Sequence, residues 1–374
     1  MLAVEKSEAE SEAPRPLDFS RHGHAKLELL LDHLRGTRRM TIQEIEAACD
    51  ASQTLDFTRP KREAPELTLK GMFYPLGFPA EVRTNSPEVL KLAAEIWCDF
   101  EKLFDTEPVR VDVHVTAGGA KECPPMPVYR FFMPLFMAVA DAENYSICDL
   151  EQNRTRVLLT SEAMRHKLYV RTLFLAAAPG PHLVVRHITP VHAGCVALDG
   201  RGVLLCGDSG AGKSTLSYAC ARAGWTYISD DGSFLMNSGR ERVVMGDCHK
   251  IRFRPTAAEL FPEIEGHATT PRLVGKPSIE LPTSLFPHMK RARTAQVDFI
   301  VFLNRNGGGP QELLPYRKDV ARHYMRQTLY GTRKSLAVRY PVVERLLTGD
   351  VLELRYTDLD WAVDRLQSLV REGR

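Results

Sequence analysis

The chain has no C-x-x-C pair among its eight cysteines, no long apolar run, no internal repeat and almost no net charge. Each absence excludes something. The cysteines (Cys49, Cys98, Cys123, Cys148, Cys195, Cys206, Cys220 and Cys248) are scattered, several within apolar runs. That excludes a disulfide frame or zinc site and predicts reduced core thiols in a cytoplasmic protein. The longest uncharged apolar stretch, Phe131 to Ala140, falls far short of the roughly 18 residues that a spanning helix needs. Met1 to Ser20 is acidic rather than basic and then apolar, so neither a membrane segment nor a secretory leader is expected. With 49 Lys+Arg against 47 Asp+Glu the formal charge is +2, which leaves no global field to attract nucleic acid or an anionic membrane. What is present is ordinary globular composition, 44% apolar and 26% charged over 374 residues.

Residues 1–20 are acidic and lack apolar periodicity, which predicts an unordered tail. A helical pattern at 25–34 and a capping box at Thr41-x-x-Glu44 predict a small helical segment, followed by a charged linker to Leu67. Residues 68–180 read as an α+β domain. Ser86-Pro87 starts a helix with Val89, Leu92, Ala93 and Ile96 on one face. Val109, Val111, Val113 and Val115 alternate with Arg110, Asp112 and His114, as in a half-buried strand. A hairpin is expected around Gln152-Asn153, then a helix from Ser161 to about Ala178. Residues 181–374 mix strands, at 182–188, 194–198, 202–206, 225–229, 242–245, 251–253, 297–303 and 351–356, with helical patterns at 213–223, 319–330, 341–347 and 358–371. That spacing predicts an α/β nucleotide-handling domain.

Gly207-Asp208-Ser209-Gly210-Ala211-Gly212-Lys213-Ser214 matches G-x-x-x-x-G-K-[ST] in full, between the apolar run Val203–Cys206 and a helical pattern that continues through Thr215. Backbone N–H groups of such a loop can turn inward around a phosphate, and the helix N-terminus adds positive charge. Lys213 supplies a mobile cation for the β/γ oxygens, and Ser214 is placed to ligate Mg²⁺. One helix later a short strand ends in Asp230-Asp231, at the carboxyl edge where open α/β sheets bind ligands. Two carboxylates there suit Mg²⁺ binding and proton abstraction from an attacking hydroxyl.

His192-Ala193-Gly194, the loop itself, Gly224 and Asp230-Asp231 together resemble the catalytic domain of bacterial HPr kinase/phosphorylase, closely over 190–235 and loosely over 180–374. The resemblance implies a fold related to phosphoenolpyruvate carboxykinase and transfer of phosphate from ATP to a serine hydroxyl. It also implies that His192 lies near the phosphates, and that one of Asp230 and Asp231 is the base while the other serves the metal. Thr215 stands where that family carries an acidic residue. The family's later signature, an acidic residue followed by Arg-Gly-Leu-Gly, has no clear counterpart here, the nearest segment, Arg272 to Glu280, matching it poorly.

Lys250, Arg252 and Arg254 alternate along a strand and are read as a solvated face, as are the cations of Arg317 to Lys334 and the group Lys290, Arg291 and Arg293. The reading that follows is an ATP- and Mg²⁺-dependent kinase whose acceptor is a protein, peptide or small molecule. A possible homo-oligomer is compatible with it, and nucleic acid and membrane are not expected partners. A small-molecule kinase and a nucleotide-gated binding module are the alternatives.

Overall fold

A computed structural model of the chain describes residues 65–373 except 133, 240, 274, 306–308, 328 and 330–332. The expected tail, the helical segment and most of the linker lie outside the described residues.

The first sheet is built from β1 (Leu69–Phe73), β2 (Ala80–Thr84), β3 (Val109–Thr116), β4 (Val128–Phe132), β5 (Leu135–Val139), β6 (Tyr145–Asp149) and β7 (Arg154–Thr160), with helix α1 (Pro87–Trp97) between β2 and β3. Its order is β1-β2-β3-β7-β6-β5-β4. The helix buries Val89, Leu92, Ala93 and Trp97, the face that its apolar spacing marks. The Ser86 hydroxyl does not cap it. Instead, the Thr84 hydroxyl oxygen accepts from the Ser86 N–H at 3.1 Å.

The half-buried reading of β3 is corrected. This strand pairs in parallel with β2 on one side and β7 on the other. Asp112 is fully buried and His114 nearly so. Asp112 can be buried because Arg83 Nε and Arg154 Nε each donate to it at 2.7 Å. Burial alone would raise its carboxyl, but bonds and charge from Arg83 and Arg154 hold it below the usual range. Asp112→Ala is expected to destabilise the protein by about 2–4 kcal/mol at neutral pH, because two partly covered guanidiniums lose their counter-charge. The loss should shrink as pH falls through the lowered pKa, where the wild-type carboxylate protonates and its contribution vanishes. Urea unfolding at pH 7 and pH 3 measures both.

The expected single helix after Ser161 is broken into a 3₁₀ turn (Ala163–Arg165), α2 (Lys167–Val170) and a π-helical turn (Arg171–Leu175), followed by α3 (Gly180–Arg186). Residues 182–186 are therefore helical rather than extended. Within Lys167–Arg186 an 18-residue segment has a mean hydropathy of 1.3, apolar enough by length and composition to cross a membrane, and 50% of it is buried. Leu173, Phe174, Leu175 and Leu183 pack there with α1 and β3 in one core.

The second sheet contains β8 (Ile188–Leu198), β9 (Arg201–Cys206), β10 (Thr226–Ser229), β11 (Gly232–Met236) and β12 (Val243–Gly246). A separate ribbon pairs β13 (Lys250–Phe253) with β14 (Ile279–Pro282). Then come β15 (Lys290–Arg291), β16 (Thr294–Asn304), β17 (Glu312–Pro315) and β18 (Asp350–Arg355). Helix α4 (Lys213–Arg222) follows β9, α5 (Lys318–Gln327) and α6 (Arg333–Leu346) precede β18, and α7 (Leu359–Glu372) follows it. Strands β9, β16 and β18 run parallel, while β8 lies antiparallel between β9 and β10.

Both faces of this sheet are covered, so β9 is a continuous apolar run rather than an alternating one. Val203 and Leu205 face α4 and α7, and Leu204 and Cys206 face α5 and α6. Each such side chain contributes about 1.5–3 kcal/mol on burial. Five of the described cysteines are buried, but Cys98 and Cys123 are exposed, against the expectation of core thiols. The fold is mixed α/β with several sheets.

Candidate functional site

The chain leaves the buried end of β9 at Cys206, turns through Gly207 to Gly212 and enters α4 at Lys213. Gly207, Gly210 and Gly212 all have positive φ, at 148°, 98° and 100°. At Gly212 the need is also steric, because a Cβ would stand 2.8 Å from the Tyr356 hydroxyl. The loop is fixed from outside as well. Tyr324 on α5 grips Gly207, its hydroxyl donating to the Gly207 carbonyl at 2.7 Å and lying 3.2 Å from the Gly207 N–H.

Lys213 is 5% exposed and its Nζ donates to the Gly207 carbonyl at 2.7 Å and the Asp208 carbonyl at 3.2 Å. Its third partner is His192 Nε2 at 3.0 Å. His192 comes from the neighbouring strand β8, and its Nδ1 lies 3.2 Å from Asp231 Oδ1. A neutral imidazole with its proton on Nδ1 satisfies both contacts, accepting from Lys213 and donating to Asp231. Burial and the Lys213 charge hold the His192 pKa down, against a weaker upward pull from Asp231. Burial likewise lowers the Lys213 ammonium, with Asp231 opposing it from 4.0 Å. Lysine, histidine and aspartate thus form one chain across three elements.

Asp230 and Asp231 sit in the turn between β10 and β11. Although β8 separates β10 from β9, the pair still reaches the loop, because β8 carries glycine at the crossing. A Cβ at Gly194 would stand 2.5 Å from Ser217 Oγ on α4 and 3.0 Å from the Asp230 carbonyl. The two carboxylates differ in surroundings. Asp231 is 42% exposed and faces His192 and Lys213. Asp230 is buried, accepts from the Arg252 N–H at 3.1 Å and is bonded by the Ser214 hydroxyl. Burial raises its carboxyl to about 6, the Asp231 charge adding to the rise while Arg252 and Ser214 oppose it.

These groups line a cavity of about 700 Å³. His192, Ser209, Gly210, Gly212, Lys213, Ser214, Thr215, Asp230 and Asp231 all border it, so the structure gathers nearly every expected site residue. Of the others, Gly207 and Asp208 lie behind the loop as carbonyl partners of Lys213. Ala211 packs against the core under α4.

The reading of this strand as a solvated face is corrected at Arg252, which is half-buried and borders the cavity; Arg254 borders it too but is exposed, as expected. Arg252 is held there by Glu280, to which its Nη2 donates at 2.8 Å. Arg272 and Lys276, from the segment set against the later signature, and Arg305, which sequence reading missed, complete a cationic wall. Arg305 directly follows β16, the parallel neighbour of β9, and position at the carboxyl edge is the signal that could have found it.

Ser214, Asp230 and Asp231 supply hard oxygen donors, and the buried Asp230 carboxyl has no cationic side chain bonded to it among the described residues. Among the described residues no cluster of three or more His, Cys, Asp or Glu could hold a metal alone. One or two carboxylates beside a phosphate site is the set that fits Mg²⁺, which keeps waters and phosphate oxygens as its remaining ligands.

No protein-family model matches this chain, and no curated protein matches it. Among solved structures, the Hpr(Ser) kinase/phosphatase from Coxiella burnetii is similar to it, with 16% sequence identity and a TM-score of 0.30. That similarity covers 50% of this chain and 96% of the other.

Proposed function

We propose that this protein is a Mg²⁺- and ATP-dependent phosphotransferase that moves the γ-phosphate to a hydroxyl, a serine of a protein or peptide. The loop Gly207–Ser214 is the phosphate cradle, and residues 181–374 are the catalytic domain, with 68–180 selecting the acceptor. The observation that carries this reading is the Lys213–His192–Asp231 chain, which joins the loop's cation to a half-exposed carboxylate in the same cavity. The motif's resemblance to HPr kinase/phosphorylase supports it.

Phosphoryl transfer asks a protein mainly to position and to neutralise charge. Backbone amides of the loop and Lys213 hold the β/γ oxygens, and the cationic wall offsets the remaining charge. Ser214 and Asp230 would hold Mg²⁺, which when bound screens the charge developing on the phosphates. Asp231 accepts the proton of the attacking hydroxyl. His192, bonded to Asp231 and Lys213 together, keeps the base aimed at the site of attack. The two carboxylates thereby divide the roles: the buried, serine-bonded one serves the metal, and the exposed one faces the acceptor.

The test is incubation with γ-labelled ATP, Mg²⁺ and a cell extract, followed by fractionation. A labelled protein band whose phosphate is stable to acid and lost in alkali, and which disappears with Asp231→Asn, is the expected result. Label confined to a small metabolite would refute the protein acceptor, and no labelled product at all would refute the transferase.

A further inference from the structure

A second cavity, of about 810 Å³, lies beside the first. Thr215, Leu260 and Arg305 border both, so the two meet along the first turn of α4. The second opens where β16 and β18 end, since Arg305 follows Asn304 and Tyr356 follows Arg355. That edge is where parallel strands of an open sheet present ligands. Its size falls within the roughly 300–1,000 Å³ of small-molecule sites.

Its lining has two characters. Ala219 on α4 faces Leu359 and Val363 of α7 to make apolar walls, and Asp360 and Asp364 stand exposed at the rim. Asp358 is already committed, accepting from the Trp361 N–H at 2.7 Å as the cap of α7. Tyr356 adds an independent observation. It is 3% exposed, borders this cavity, and its hydroxyl has no hydrogen-bond partner among the described residues. A buried orphan hydroxyl costs free energy unless a ligand or water satisfies it. This one lies against Gly212, between the loop and the cavity.

We infer that the second cavity takes the nucleoside half of the nucleotide, with the base between Ala219 and Val363 and the sugar hydroxyls toward the rim carboxylates. The triphosphate then runs past Thr215 and Arg305 into the first cavity. This rests on the loop being a triphosphate site, and it adds where the donor's base and sugar are recognised. It also explains why Thr215 and Arg305 belong to both spaces.

The full chain would be titrated calorimetrically, with Mg²⁺, against ATP and separately against inorganic tripolyphosphate, which carries the charge without the nucleoside. Wild type is expected to bind ATP about tenfold or more tighter than tripolyphosphate. Leu359→Trp, which fills the cavity, should remove that preference and leave tripolyphosphate binding unchanged. Asp360→Asn, at an exposed position, should reduce the preference without disturbing the fold. Equal affinity of wild type for the two probes, or an undiminished preference in both variants, would overturn the nucleoside site while the loop reading stands. Failure of wild type to bind either probe would overturn both.

Discussion

Replacing Lys213 with alanine is expected to lower γ-phosphate transfer by about 10²–10³-fold, the usual effect of removing one preorganised donor from developing charge. Stability should change far less. The ammonium is buried, and the fall in its pKa shows that its charge is held against a desolvation cost. Alanine removes that cost, while the Asp208 carbonyl and the His192 Nε2 lose their donor and the Gly207 carbonyl keeps only the Tyr324 hydroxyl. The two effects oppose each other, so the melting temperature should move by only a few degrees. Single-turnover transfer and thermal unfolding on the same preparation separate the outcomes. A wild-type rate in the variant would remove Lys213 from the chemistry.

Asp230→Asn should abolish transfer and yet make the protein more stable at alkaline pH. In the unfolded chain this carboxyl titrates near its ordinary 3.8, whereas burial in the folded protein raises it to about 6. The folded state therefore holds the proton more tightly between those values, and stability falls as pH rises through that window. Above it the cost is constant, at most about 3 kcal/mol. Asparagine keeps an acceptor for the Arg252 N–H and the Ser214 hydroxyl without the charge. The variant should exceed wild type by that amount at pH 8 and match it at pH 4, as read by urea unfolding. A gap that is absent at pH 8, or reversed, would contradict the assignment. A carboxylate retained at such a cost is best explained by a function that needs its charge.

The sequence shows the loop because its parts are contiguous. Strand, glycines, lysine, serine and helix occupy one short segment, and each residue type answers a local requirement. The Asp pair is legible for the same reason, one helix away, although the strand inserted between β9 and β10 is not. That insertion depends on β8 pairing with both strands at once. Tyr324, Arg305 and Tyr356 stay hidden because they reach the loop only through the parallel order β9-β16-β18 and the packing of α5. Asp112 misleads a period-2 reading because its charge is balanced by arginines on two neighbouring strands. The helix at 180–186 is missed for a different reason. Pro181 sits in its first turn, where the missing N–H costs nothing, although a Pro-Gly-Pro sequence ordinarily signals a break.

The most direct measurement is a calorimetric titration of ATP with Mg²⁺ into the folded wild-type chain, repeated with Lys213→Ala and without the metal. One site per chain, weakened by the substitution and by omitting Mg²⁺, is the predicted result. A well-folded protein that takes up no nucleotide under any of these conditions would contradict it.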